Sequence, residues 1–154
     1  MLHVLLYEPQ IPPNTGNVMR LCANSGATLH LIGPLGFELD NTRLKRAGLD
    51  YRHWADVRQH DDLDQAQQAA GIQRIYAFTT KATRRHSDVR FAPGDGLLFG
   101  PETRGLPAPV LEALGSDHCV RIPMQPKSRS LNLANAVAIG LYEAMRQLDY
   151  AGLA

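Results

Sequence analysis

The chain has 154 residues and a mass of 17.0 kDa, enough to bury one substantial core without disulfide or metal staples. With 44% hydrophobic and 20% charged residues, 13 Gly and 10 Pro, it is not a disordered, collagen-like or coiled-coil sequence, and no apolar run approaches the ~20 residues of a membrane span. The net charge is only +1, yet the windows 43–58, 81–90 and 121–129 hold 12 of the 16 Lys and Arg and three of the 15 acids, a local +9 against −8 elsewhere.

The run HVLLYE predicts a first strand over His3–Glu8, ended by Pro9. IPPNTGN reads as loop chemistry with Asn14 a plausible N-cap, and Val18, Leu21 and Cys22 then recur at helical spacing up to Asn24-Ser25-Gly26. A second strand is expected over Ala27–Ile32, stopped by Gly33-Pro34. Asp40 can cap a short basic helix, NTRLKRA, with Gly48 at its end, and a small strand is expected over Arg52–Ala55. Asp61–Ala70 reads as a helix with acids in its first turn, followed by Gly71. Strands are then expected at Arg74–Thr79 and Gly96–Phe99, and a helix from Pro107 at N1 to Leu114. Cys119–Ile122 reads as a strand stopped by Pro123. The longest helix is expected over Leu131–Leu148, with Leu133, Ala134, Val137, Leu141, Tyr142, Met145 and Leu148 as its apolar face.

Strands alternating with helices predict an α/β fold, a mostly parallel sheet with helices on both faces, and no repeat or linker divides residues 1–154 into more than one domain. Ligands in such sheets lie beyond the carboxyl ends of the strands, which directs attention to the loops after Glu8, Thr79, Phe99 and Ile122. Cys22 and Cys119 stand alone with no CxxC, and the opening Met1-Leu2-His3 has no basic n-region. The expectation is a cytoplasmic protein without a signal peptide.

Several chemistries lack their motifs. There is no GxxxxGK[ST], and Gly94-Asp95-Gly96 lacks the third glycine of a dinucleotide loop and precedes its strand. The six histidines show no HExxH and no paired ligand spacing, so no metal is expected. No GxSxG elbow is present. Three segments remain that are richer in polar and Gly/Pro residues than plain turns require: Asn14–Arg20 (NTGNVMR), Phe99–Pro107 (FGPETRGLP) and Ile122–Ala136, which contains IPM and SLNLANA. Glycines there permit close backbone approach to a ligand, and exposed backbone groups can read an adenine edge.

N-x-G-N-x-x-R, F-G-P-E-x-x-G-L and I-P-M…S-x-N-x-A-N-A resemble the three motifs of the SPOUT superfamily of RNA methyltransferases, in order and across almost the whole chain. The resemblance is greatest to its small members that methylate the 2′-hydroxyl of the wobble nucleotide of tRNA. It implies a C-terminal deep trefoil knot, a homodimer packed through helices near both termini, and S-adenosylmethionine as the methyl donor. The implied donor pocket comprises Phe78 and Thr79, Gly100 and Glu102, Ile122 and Met124, and Ser130 and Leu131. The implied transfer site comprises Arg20, Asn14, Ser130 and Asn132.

The residues themselves allow plainer readings. Arg20 can pair with Glu8 or Glu102. The family role makes it a base, which conflicts with a guanidinium pKa above about 12; stabilising a developing alkoxide is the alternative. Asn14, Ser130 and Asn132 can be capping residues, Asn17 is similarly ambiguous, Asn135 reads as a buried polar group, and Tyr142 as core or dimer interface. Arg43, Lys45, Arg46, Lys81, Arg84, Arg85, Lys127 and Arg129 can hold the phosphates of an anticodon stem-loop, or can form three unrelated solvated faces. The competing functions are the same reaction on another RNA, such as ribosomal RNA, and a cofactor-free RNA-binding module.

Overall fold

A computed structural model describes residues 1–39, 42 and 56–154. The expected basic helix after Asp40 with Arg43, Lys45 and Arg46, and the expected strand Arg52–Ala55, lie outside the described residues. Six strands form one sheet in the order β3-β2-β1-β5-β4-β6, every pair parallel. They are β1 (His3–Tyr7), β2 (Thr28–Ile32), β3 (Val57–His60), β4 (Ile75–Phe78), β5 (Gly96–Phe99) and β6 (Cys119–Val120). All residues of β2, β4 and β5 are buried, which is why these strands read as unbroken apolar runs and not as alternating ones. β1 ends at Tyr7, one residue short of the sequence expectation, because Glu8 turns into the left-handed region at φ 48°. β6 is shorter than expected, and Arg121 makes only an isolated bridge to Arg85.

Side-chain alternation divides the core between the two faces. Val4 and Leu6 of β1, with Leu29, Leu31, Leu97 and Phe99, pack under α1 (Pro12–Ser25) and the C-terminal helix. Leu5, with Ile32, Ile75, Ala77 and Leu98, packs under α2 (Leu63–Ala70) and α3 (Ala108–Leu114). The C-terminal helix, α4 (Leu133–Gln147), buries Leu133, Val137, Leu141, Ala144 and Met145.

Four sequence readings are corrected. α1 begins at Pro12, so PPNTGN is its first turn and a half and not a loop. Prolines fit there because the first helical amides have no intrahelical acceptor to lose. Asn14 therefore sits inside the helix and caps nothing; the N-cap residue is Ile11, which has no side-chain cap. Pro107 is itself the N-cap of α3, with Pro109 in the first turn. Tyr142 is not core: it is 39% exposed, and Ile139 41%, because the buried stripe of α4 passes through Gly140 and Leu141 between them.

Gly140 lets α4 come down onto the sheet. A Cβ at this position would lie 2.7 Å from the Phe78 ring. Among the described residues no helix is long and apolar enough to cross a membrane. Gly140→Ala is expected to lower stability by about 1–3 kcal/mol, the usual cost of overpacking, as read by the shift in a urea-unfolding midpoint.

Candidate active site

Beyond the carboxyl ends of β4, β5 and β6 lies a cleft of 580 Å³, within the usual range for a cofactor or small-ligand site. Its floor is the pair Phe78 and Phe99, stacked with ring centroids 4.6 Å apart. One wall is the loop 100–106, folded back on itself. A Cβ on Gly100 would lie 2.5 Å from the Leu106 backbone nitrogen, and Gly105 adopts φ +69°. Gly105 donates its N–H to the Pro101 carbonyl at 2.9 Å, which closes the turn. The opposite wall comprises Ile122, Met124 and residues 129–133.

This cleft collects most of the residues singled out in the sequence. Phe78, Thr79, Gly100, Glu102, Ile122, Met124, Ser130 and Leu131 all line it, as do Asn14 and Asn132. Arg20 does not line it. Six residues beyond Asn14, it stands ~9 Å further along α1 and is rotated ~120° away from the cleft. It is exposed and forms no hydrogen bond or ion pair with another described residue. The pairing of Arg20 with Glu8 or Glu102 is thus not realised, because both acids have other partners. Glu8 takes Arg104, at 2.8 Å. Asn17 is exposed on α1 outside the cleft, and Asn135 is exposed, not buried as its sequence context suggests.

Glu102 has a different task from touching a ligand. Its carboxylate accepts the backbone N–H groups of Gln10 and Ile11 at 2.9 and 2.7 Å, and the Asn14 amide at 3.3 Å. From another loop it therefore holds the two residues that lead into α1, a helix that has no side-chain cap of its own and whose positive dipole end favours an anion. Asn14 Oδ1 in turn accepts from Asn132 Nδ2 at 3.0 Å. Asn132 Oδ1 caps α4, accepting from the backbone N–H groups of Ala134 and Asn135 at 3.0 and 3.3 Å. The carboxylate at one end and the backbone donors at the other leave only one orientation for each amide. Gln10 adds a second clasp, its Oε1 accepting from the N–H and hydroxyl of Thr103 at 3.0 and 2.7 Å. Gln10, Thr103 and Arg104 carry no motif signal beyond their neighbourhood, and only the fold shows that they join the two loops.

The basic residues separate into distinct groups. Lys81 and Arg129 line the cleft from different loops. Arg84 donates to the Asp117 carbonyl at 3.2 Å, and Arg85 pairs with Asp88 at 3.1 Å. Lys127 is exposed in the turn before Arg129. Arg121 is structural, since its guanidinium reaches the carbonyls of Thr80 and Ala82, both at 3.4 Å. Burial pushes the Cys22 thiol up to about 12 and raises that of Cys119, so neither is a poised nucleophile. Among the described residues no three His, Cys, Asp or Glu converge as metal ligands.

Glu102→Gln places an amide hydrogen against backbone donors. It is expected to cost about 1–3 kcal/mol of stability in urea unfolding and to reduce turnover, as Asn14 loses its fixed orientation.

The chain matches the model of the SpoU rRNA Methylase family over residues 1–142. It is 57% identical over 152 residues, 99% of this chain and 97% of the other, to a protein of Aeromonas hydrophila named tRNA (cytidine(34)-2′-O)-methyltransferase. A protein of Escherichia coli K12 with the same name is 56% identical over the same shares of both chains. Among solved structures, one described as "Structural insights into the 2-OH methylation of C/U34 on tRNA" superposes with a TM-score of 0.90 at 49% identity, covering 97% of each chain. The SpoU methyltransferase AviRb from Streptomyces viridochromogenes, in complex with the cofactor AdoMet, superposes with a TM-score of 0.81 at 28% identity. That match covers 97% of this chain and 58% of AviRb. Motifs, cleft and relatives agree along nearly the whole length, and the chain belongs to the SpoU rRNA methylase family.

Proposed function

We propose that this protein transfers a methyl group from S-adenosylmethionine to the ribose 2′-hydroxyl of the wobble nucleotide, cytidine or a modified uridine, of tRNA. The observation that carries this reading is convergence: residues from all three motifs, far apart in sequence, line one cleft, and relatives above 50% identity over the same span carry that activity in their names. The cleft suits the donor. Gly100 lets its loop fold back tightly on Gly105 and Leu106, and the cleft beside that loop carries the apolar surfaces of Ile122, Met124 and Leu131.

When bound, the sulfonium supplies an already activated methyl group. The chain must align the ribose oxygen with it and ease loss of a weakly acidic proton. In this reading Phe78, Thr79, Gly100, Ile122, Met124 and Leu131 cradle the donor. Ser130, Asn132 and Asn14 line the transfer site, and Glu102 positions Asn14. The guanidinium of Arg20, charged at any working pH, stabilises the alkoxide as it forms and does not take its proton.

Arg20 points away from its own cleft, so the reading includes a homodimer in which the Arg20 of one protomer faces the cleft of its partner. The exposed Ile139 and Tyr142 lie on the outer side of the same α1–α4 layer and supply an apolar face for that contact. The reading also includes a trefoil knot within a single domain spanning 1–154. Arg121, just past edge strand β6, exchanges backbone hydrogen bonds at 2.8 Å with Arg84 and His86 of the β4–β5 connection. α4 packs over Phe78 and Phe99, and in this reading the chain threads that connection on its way there. A tRNA substrate implies a cytoplasmic enzyme.

Methylation of total RNA lacking this modification, transfer and ribosomal RNA together, followed by nucleoside mapping, tests the reading. Label at the wobble ribose supports it; label confined to ribosomal RNA, the substrate in the family description, overturns it. Arg20→Ala is expected to reduce turnover about 100- to 1000-fold with donor binding unchanged by calorimetry. Because Arg85 is held by Asp88, the phosphate contacts are best probed by Lys81→Ala with Arg129→Ala. Loss of two contacts to a single-stranded loop is expected to reduce the slope of log affinity against log salt by about 1.4.

A further inference from the structure

Three histidines from three strands meet on the sheet face that also carries Leu5 and Ile32. β1 and β2 pair Leu5 with His30, and β2 and β3 pair Ile32 with His60. His3, His30 and His60 therefore fall on a diagonal that climbs two residues per strand. His3 Nδ1 lies 3.0 Å from His30 Nε2, and His30 Nδ1 lies 2.9 Å from His60 Nε2. The ring centroids are 5.2 and 5.1 Å apart. His30 is fully buried, and His60 nearly so.

The geometry limits how many protons the row can hold. A neutral imidazole carries one ring proton, and each of the two N···N gaps accommodates one. Three neutral rings thus fill both gaps and one outer nitrogen, either His3 Nε2 or His60 Nδ1. One further proton fits on the other outer nitrogen. Any more would set two N–H groups head to head in a gap and break that hydrogen bond. Both nitrogens of His30 are engaged in opposite directions, so the three rings do not converge as ligands of one metal ion.

We propose that His3, His30 and His60 act as one proton-binding unit, an acid-sensitive latch that fastens edge strand β3 to the sheet. Among the described residues β3 is paired on one side only, to β2, with an added hydrogen bond from the Thr28 hydroxyl to Asp56 at 2.8 Å. Among the described residues the charged groups around the row are the amino terminus ahead of β1, Asp56 just before β3, Arg58 within it and Asp61 after it. On α2, packed on the same face, Leu63, Ala66 and Ala70 meet the core, Asp62 caps its own helix and Asp64 is exposed. Burial, then the neighbouring imidazoles, lowers His30 to about 4; burial and then Arg58 lower His3 and His60.

The sign follows from these directions. In the opened state His60 leaves the row and binds a proton near 6.5, and the His3–His30 pair, still joined across β1 and β2, takes one more; the closed row takes one at most without losing a hydrogen bond. The latch is therefore intact above pH ~6.5 and weakens as pH falls towards about 4. With one more proton on the opened state, the opening constant of β3 rises about tenfold per pH unit below the imidazole range.

Imidazole ¹⁵N NMR of the wild-type protein, with amide-exchange protection factors for β3 and β5, tests this between pH 8 and 5. The expected result is at most one added proton over the three rings while β3 stays protected, with β3 losing protection before β5. Two or three protonated rings beneath an intact β3 overturn the proposal. His30→Asn is expected to abolish most of the pH dependence of β3 protection. His60→Gln, at the less buried end, serves if that variant does not fold. It removes the one ring that β3 carries and is expected to leave β3 protection nearly independent of pH. A dependence unchanged from wild type in whichever variant folds also overturns the proposal.

Discussion

Helix α1 starts with two prolines and no side-chain cap, and Glu102, from the loop after β5, holds the N–H groups of the two residues just ahead of it. Much of the cleft follows from this contact. Once the carboxylate is fixed by two backbone donors, Asn14 can only donate to it, so its carbonyl oxygen can only face Asn132. Asn132 is already committed to the first amides of α4. Three segments separated by up to 118 positions are thereby held by one chain of polar contacts with no free choice of orientation. A site that must align an oxygen with a methyl group benefits from amides that cannot flip.

Close approach is the second constraint. The cleft lies where β4 and β5 end, and its floor is the Phe78–Phe99 stack. α4 reaches this stack only through the bare backbone of Gly140, and the opposite loop closes only through Gly100. Side chains at either glycine would push walls apart that the Glu102 chain pulls together. The last third of the sequence is therefore fixed to the end of the sheet by packing and hydrogen bonding at once, which suits a pocket that must be formed before its ligand arrives.

The strands were legible because parallel, doubly covered strands are written as short apolar runs bounded by Gly, Pro and Asp, and β5 shows this at Gly96–Phe99 without error. The cleft was legible for a different reason: the glycine- and proline-rich segments that resembled family motifs are the ones that must bend sharply around a ligand. Local chemistry misled where it was ambiguous. Pro12-Pro13-Asn14 suits a loop as well as a helix start, and only the distant carboxylate of Glu102 decides between them. Tyr142 and Leu141 are neighbours, and the depth to which α4 sinks at Gly140 decides which one is buried. The histidine row was invisible, since His3, His30 and His60 are separated by 27 and 30 positions and meet only through strand order and register.

Charge placement completes the logic of the cleft. The donor carries a positive sulfonium and the substrate a chain of phosphates, so a strongly charged interior would either repel the donor or trap it. The one acid in the wall, Glu102, faces the backbone amides that lead into α1, whose dipole offsets its charge where it stands. The uncharged polar lining is hydroxyl and amide: Thr79, Thr80, Thr103, Ser130, Asn14 and Asn132. Cationic charge in the lining is confined to Lys81 and Arg129, from different loops, and to Arg104, which Glu8 neutralises. A largely neutral lining with these few cations draws the polyanion to the cleft without binding the cationic donor too firmly, and it explains how a chain with a net charge of +1 can serve a nucleic acid.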